Sequence, residues 1–232
     1  MKLAIINPNS TQSMTHKCKE VALKYKNEDT EIWASNPSDS PKSIEGHYDE
    51  VKSLNGLMTE ILKAKQWGAD AYVIACFDDP GLEAARELVD GPVIGICEAA
   101  MNMASIISSS FSVVTTLNRS VPIIENLSYK YGKERFCRKV RAANIPVLAL
   151  ENGTCNAMEK IEQEILKAVK EDNCEAIILG CAGMADLTIE LSQKCNIPVI
   201  DGVLSAIKLA EAMVLAKLKT SKINSYSYPL DK

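Results

Sequence analysis

Along this chain, short apolar runs alternate with longer stretches whose apolar positions recur every three or four residues. The first pattern belongs to buried strands and the second to amphipathic helices, so their alternation predicts an α/β fold with mainly parallel sheets. Strands are predicted over 2–6, 30–34, 71–76, 92–96, 111–116, 136–142, 176–181 and 198–200. Helices are predicted from the polar turn 7–11 to about 26, over 48–66, from near 80, over 97–107, from about 120, over 155–171, near 185–194 and over 203–217. In the long second helix, Val51, Leu54, Leu57, Met58, Ile61 and Leu62 fall at helical spacing. The segment 36–47, rich in Ser and Pro, reads as a loop, and 221–232 as a tail packed on the surface.

The order of elements repeats. Glu60-Ile61-Leu62-Lys63-Ala64 recurs letter for letter as Glu164-Ile165-Leu166-Lys167-Ala168. Each copy precedes an apolar run that ends in cysteine, at Cys76 and at Cys181, and then a run of the form Pro-Val-Ile, at Pro92 and at Pro198. The turns at 7–11 and 115–118 open the two halves. Ligands of parallel sheets bind beyond the carboxyl ends of strands, where all four of these segments fall. The repeat therefore predicts one cleft with two pseudo-symmetric walls.

The composition narrows the class of partner. In 232 residues, 47% are apolar and 24% charged, as in an ordinary globular protein. A net charge of −4 gives no electrostatic footprint for nucleic acid. No apolar stretch approaches the ~18 residues of a membrane span, and the N-terminal one is shorter than a signal-peptide core. A cytoplasmic protein with no membrane partner is expected, acting on a small molecule. The eight cysteines form no Cys-x-x-Cys pair, and His16 and His47 lie in polar stretches away from both repeat cysteines, so no metal site is expected.

A single cysteine at a strand end is usually inert packing, and that reading stands for the six cysteines without a matched partner. Cys76 and Cys181 differ because they share one place in a duplicated unit. Each is expected just before a helix N-terminus, where N–H groups favour a thiolate and could hold an enolate oxygen. Two thiols facing each other across a cleft suit proton removal from one face of a carbon and return on the other. An ordinary thiol pKa near ~8.5 lets one act as base while the other acts as acid.

The segments Asn7-Pro8-Asn9-Ser10-Thr11, Ala75-Cys76-Phe77-Asp78-Asp79-Pro80-Gly81-Leu82, Val114-Thr115-Thr116-Leu117, Gly180-Cys181-Ala182-Gly183-Met184 and Pro198-Val199-Ile200-Asp201-Gly202 resemble those of the hydantoin and allantoin racemases. These belong to the aspartate/glutamate racemase superfamily, and the resemblance spans nearly the whole chain. It implies two pseudo-symmetric α/β lobes, 1–97 with 202–232 carrying Cys76 and 98–201 carrying Cys181, with the active site between them. It also implies cofactor-independent two-base catalysis by Cys76 and Cys181, and a homo-oligomer.

Asn9, Ser10, Phe77, Asp78, Thr115, Thr116, Ala182 and Gly183 are the expected substrate-binding residues. Amides, hydroxyls and backbone N–H groups suit a small neutral ring such as a 5-substituted hydantoin or allantoin. An amino-acid racemase or a related decarboxylase is the alternative enzyme, and a two-lobed solute-binding domain the alternative without catalysis. Asn9 and Ser10 also fit helix capping, and Asp201 fits it better than ligand contact. Asp78 and Asp79 are expected at a helix start with both carboxylates turned away from the thiols. Trp33, Trp67, Phe77, Phe111 and Tyr129 are aromatic candidates near or under the site.

Overall fold

Each half of the chain folds around its own four-stranded parallel sheet. A computed structural model describes residues 1–151 and 156–230. The first sheet contains β1 (Lys2–Ile6), β2 (Glu31–Ser35), β3 (Ala71–Ile74) and β4 (Val93–Gly95), in the order β2-β1-β3-β4. The second contains β5 (Phe111–Thr115), β6 (Cys137–Ala142), β7 (Ala176–Gly180) and β8 (Val199–Asp201), in the matching order β6-β5-β7-β8. Among the described residues all six strand pairings are parallel.

Helices α1 (Gln12–Tyr25), α2 (His47–Trp67), α3 (Leu82–Leu88) and α4 (Ile96–Ile107) connect or follow the first four strands. In the second half come α5 (Val121–Lys130), α6 (Val147–Glu151), α7 (Ala157–Asp172), α8 (Thr188–Cys195) and α9 (Gly202–Leu215). Strand alternation assigns each side chain to a layer. Leu3 and Ile5 of β1 enter a central core with Phe111, Val113 and Ile178 of the second sheet, packed with residues of α1, α4 and α9. Ala4 and Ile6 face outward against Leu57 and Ile61 of α2. Ile177 and Leu179 face Ile161 and Ile165 of α7 in the same way.

The sequence repeat is thus a repeat in space. Ile61 and Ala64 are fully buried under the first sheet, and Ile165 and Ala168 under the second. Lys63 pairs with Glu60 at 2.6 Å and Lys167 with Glu164 at 3.1 Å. The second copy adds Arg141 on β6, whose guanidinium bonds Asp172, Glu164 and Glu171 and fastens the sheet to α7.

Several predicted boundaries shift. β3 stops at Ile74, although the Ala75 amide still donates to Ile6 O at 2.8 Å. Cys76 consequently lies in a turn. α3 begins only at Leu82 because Gly81 has a left-handed φ of 62°. The helix expected near 185–194 is a 3-10 segment, Ala182–Leu187, followed by α8. α6 was not predicted. The expected start of the helix at 155 and the last two residues of the tail fall outside the described residues. The rest of the tail packs on α3, with Lys222 Nζ donating to Arg86 O and Glu87 O.

Candidate active site

The strand orders explain where the site forms. From β1 the chain passes to one side of the sheet and then crosses to β3 on the other, so a crevice opens between the ends of β1 and β3. The second sheet repeats this between β5 and β7. The two crevices face one cavity of about 40 Å3, to which Cys76 and Cys181 both contribute.

After β1, the turn is held by its own side chains. Asn7 Nδ2 donates to Asn9 Oδ1 at 2.9 Å and to Thr15 Oγ1 at 3.1 Å. Asn9 Oδ1 also accepts the Thr11 amide at 2.9 Å, and Asn9 Nδ2 meets Met14 Sδ at 3.3 Å. Both Asn7 and Asn9 are buried and line the cavity. Ser10 does not line it: its amide donates to Pro41 O. The residue at the N-cap position of α1 is Thr11, whose hydroxyl instead donates to Lys42 O, so neither Asn9 nor Ser10 caps that helix.

After β3, Cys76, Phe77 and Asp78 line the cavity and Asp79 turns away from it. Burial pushes the Cys76 thiol well above its ordinary pKa, and the charge on Asp78 pushes it further. The Asp78 amide, which bonds the sulfur, opposes that rise, while Cys181 and Asp79 add to it. Asp78 thus acts on the Cys76 sulfur through both its amide and its charge, and the residue lines the same cavity. Its own carboxyl is pushed up to about 7 by burial and by Glu50, with His47 opposing. Asp79 accepts the amides of Cys97 at 3.1 Å and Glu98 at 2.9 Å, capping α4 rather than α3. It also accepts the Tyr131 hydroxyl at 2.7 Å, from the other half of the molecule. No helix begins directly after Cys76, so the expected dipole at this sulfur is absent.

On the opposite wall, Thr115 donates to Gly180 O at 2.9 Å, and Thr115, Thr116, Ala182 and Gly183 line the cavity. A side chain at Gly180 would press on Thr115 Cβ at 2.9 Å. Cys181 sits at the N-cap position of the 3-10 segment. A Cβ at Gly183 would lie 3.6 Å from Cys181 Sγ, which shows how close this bare backbone comes to the sulfur. Asp201 caps α9 as expected, accepting the amides of Val203 and Leu204.

Cys18, Met14, Ile44, Ser120 and Val147 also line the cavity and were not among the expected site residues. Met14 and Cys18 lie four residues apart on the buried face of α1, a spacing legible in the sequence. Ile44 and Val147 come from irregular or unpredicted segments. They meet where Glu45 Oε1 accepts the Val147 amide at 2.9 Å, a clasp between the halves. Lys17 Nζ makes a second such bond, to Gly183 O at 3.1 Å. Of the aromatic candidates only Phe77 reaches the cavity. Trp33 and Trp67 stack on each other, Phe111 fills the central core and Tyr129 is exposed. Among the described residues no group of three or more His, Cys, Asp or Glu could hold a metal ion, and no helix is long and apolar enough to cross a membrane.

Residues 3–210 match the family model described as Asp/Glu/Hydantoin racemase. The chain belongs to this racemase family. A hydantoin racemase of Rhizobium meliloti is 56% identical over 99% of the chain and 95% of its own length. The solved structure of an allantoin racemase from Klebsiella pneumoniae superposes with a TM-score of 0.98 at 43% identity, covering 100% of this chain and 95% of that one. A second, from Pseudomonas fluorescens, gives 0.96 at 37% identity, covering 100% and 98%. Membership of the racemase family makes the chain an isomerase, with the two-sheet architecture of its relatives.

Proposed function

We propose that this racemase inverts the stereogenic carbon of 5-substituted hydantoins, allantoin among them, using Cys76 and Cys181 as paired acid and base without a cofactor. The observation that carries the reading is that two thiols from equivalent positions of the two sheets line one cavity. One thiolate removes the C5 proton, and the electron pair moves into the adjacent C4 carbonyl as an enolate. The opposite thiol then protonates C5 from the other face, and the roles exchange for the other enantiomer.

The lining supports a neutral substrate. Among the described residues it is made of thiols, amides, hydroxyls, apolar side chains and one carboxyl, with no Lys, Arg or His. An amino-acid substrate would bring its carboxylate against the Asp78 carboxyl, with Lys17 already held on Gly183 O at the cavity wall, so the amino-acid racemase alternative is disfavoured. The names of the relatives point the same way. In this conformation the cavity of about 40 Å3 holds a few waters.

Turnover in deuterium oxide tests the reading. Deuterium should enter C5 of a hydantoin as racemisation proceeds. Loss of optical rotation without label at C5 would exclude proton transfer.

A further inference from the structure

Asp78 is the one carboxyl among the lining residues, and among the described residues its side chain accepts no hydrogen bond. Only about 9% of the residue is exposed. Every other buried acid described here has donors: Asp79 has three, Asp201 two amides, and Glu60 and Glu211 their lysines. Its oxygens are not sealed from solvent, so water can meet them, and a donor on a ligand entering the cavity can take that water's place. The charged and titratable groups that act on it are Glu50 and His47 of α2 and the Cys76 thiol beside it.

The substrate's chemistry fixes which of its atoms suits this place. Cys76 approaches C5 under the hydantoin reading, and Asp78, whose amide bonds the Cys76 sulfur and which lines the same cavity, lies beside the atoms bonded to C5. The C4 carbonyl gathers negative charge in the reaction and would be repelled by a carboxylate. The neighbouring N1–H is a donor. Resting on the hydantoin reading above, we propose that the Asp78 carboxylate accepts the ring N1–H and, by its charge, keeps the ring-opened N-carbamoyl amino acid out of the cavity. Asp78 thereby orients the ring, turning the C4 carbonyl toward the Thr115, Thr116 and Gly183 side. It also selects the closed ureide over its anionic hydrolysis product.

The test compares, at pH 8 to 8.5 so that Asp78 is ionised, a 5-substituted hydantoin with its N1-methyl and N3-methyl derivatives, on the wild-type enzyme and on Asp78→Ala and Asp78→Asn. In the wild type, N1-methylation should lower kcat/KM about 10- to 100-fold, the loss of one buried hydrogen bond with its acceptor stranded, and N3-methylation should cost much less. In Asp78→Ala the N1-methyl penalty should shrink to a few-fold. In Asp78→Asn, which lacks the charge, the N-carbamoyl amino acid should become a competitive inhibitor that the wild type ignores. An equal penalty from either methyl group in the wild type overturns the proposal even if both variants fail to fold. So does an N1-methyl penalty unchanged in Asp78→Ala, or strong wild-type inhibition by the carbamoyl acid. A wild type that racemises no hydantoin at all would instead sink the functional reading itself.

Discussion

The carboxylate of Asp79 occupies the space in which a side chain on Gly95 would begin, and a Cβ built there would overlap it. Gly95 holds the N-cap position of α4, and its counterpart in the second sheet is Asp201, the N-cap of α9. In both halves a carboxylate accepts the second and third amides after that position. In the second half the cap comes from the strand end itself. In the first it reaches across from the Cys76 turn, so capping α4 also fixes the turn that carries the sulfur.

This exchange of caps is testable by reversing it. Asp79→Ala should destabilise the fold by about 1–3 kcal/mol, through loss of the cap and stranding of two amides. Gly95→Ala should destabilise it by overlap. Asp79→Gly combined with Gly95→Asp rebuilds the arrangement seen at Asp201, and should recover most of that stability. Chemical denaturation reads the stability. Activity of the double variant should stay low, because the turn has lost its tie to α4 and to Tyr131.

The paired thiols predict an asymmetric result. Cys76→Ser and Cys181→Ser should each lower racemisation about 10²- to 10⁴-fold with unchanged melting temperature. Each variant should still exchange the C5 proton of one enantiomer with solvent, and the two should favour opposite enantiomers. NMR of recovered substrate separates exchange from inversion. Equal loss of exchange with both enantiomers in both variants would contradict the assignment.

Asp78 should control the pH range of the reaction. Its negative charge raises the Cys76 pKa, so Asp78→Asn should lower it. For the enantiomer that needs Cys76 as base, the acidic limb of kcat/KM should move to lower pH. For the opposite enantiomer, where Cys76 is the acid, the alkaline limb should move the same way. A limb that moves to higher pH would contradict this electrostatic account.

The same carboxyl predicts how stability depends on pH. In the folded protein Asp78 sits at about 7, against 3.8 for a free side chain, so between these values the native state binds the extra proton. Unfolding free energy from this group is therefore greatest at low pH and is lost as pH rises toward 7. Asp78→Asn removes that loss, so the variant should gain stability relative to wild type from pH 4 to 7, by at most about 4 kcal/mol. Urea titrations at several pH values would measure the difference.

Arg141 predicts a stability effect remote from the site. Its side chain is almost fully buried between Asp172, Glu164 and Glu171. Arg141→Met leaves the buried Asp172 unpaired and should cost about 3–5 kcal/mol. The folded fraction should keep its kcat, as read by active-site titration.

Much of this architecture was legible because it rests on two periods and one repeat. β1 alternates Leu3 and Ile5 inward with Ala4 and Ile6 outward, and the duplicated Glu-Ile-Leu-Lys-Ala segment marks the equivalent helices α2 and α7. The same duplication singled out Cys76 and Cys181 from the other thiols. Local pattern could not decide what tertiary contacts decide. β3 ends early because its backbone pairing with β1 runs out at Ala75, although its apolar run continues to Cys76. Asp78 and Asp79 are chemically alike and adjacent, yet only the amides of α4 draw Asp79 away. Ser10 sits beside Asn9 but spends its amide on Pro41 O. Ile44 and Val147 reach the cavity only because the halves close, which no spacing along the chain announces.

That closure bears on the reaction. One sulfur rides on each sheet, and the Glu45 carboxylate joins the halves at the cavity's edge. Under the two-thiol proposal, any parting of the halves that admitted a ring would move the sulfurs with the walls that carry them, so Glu45→Ala should change substrate entry and proton transfer together.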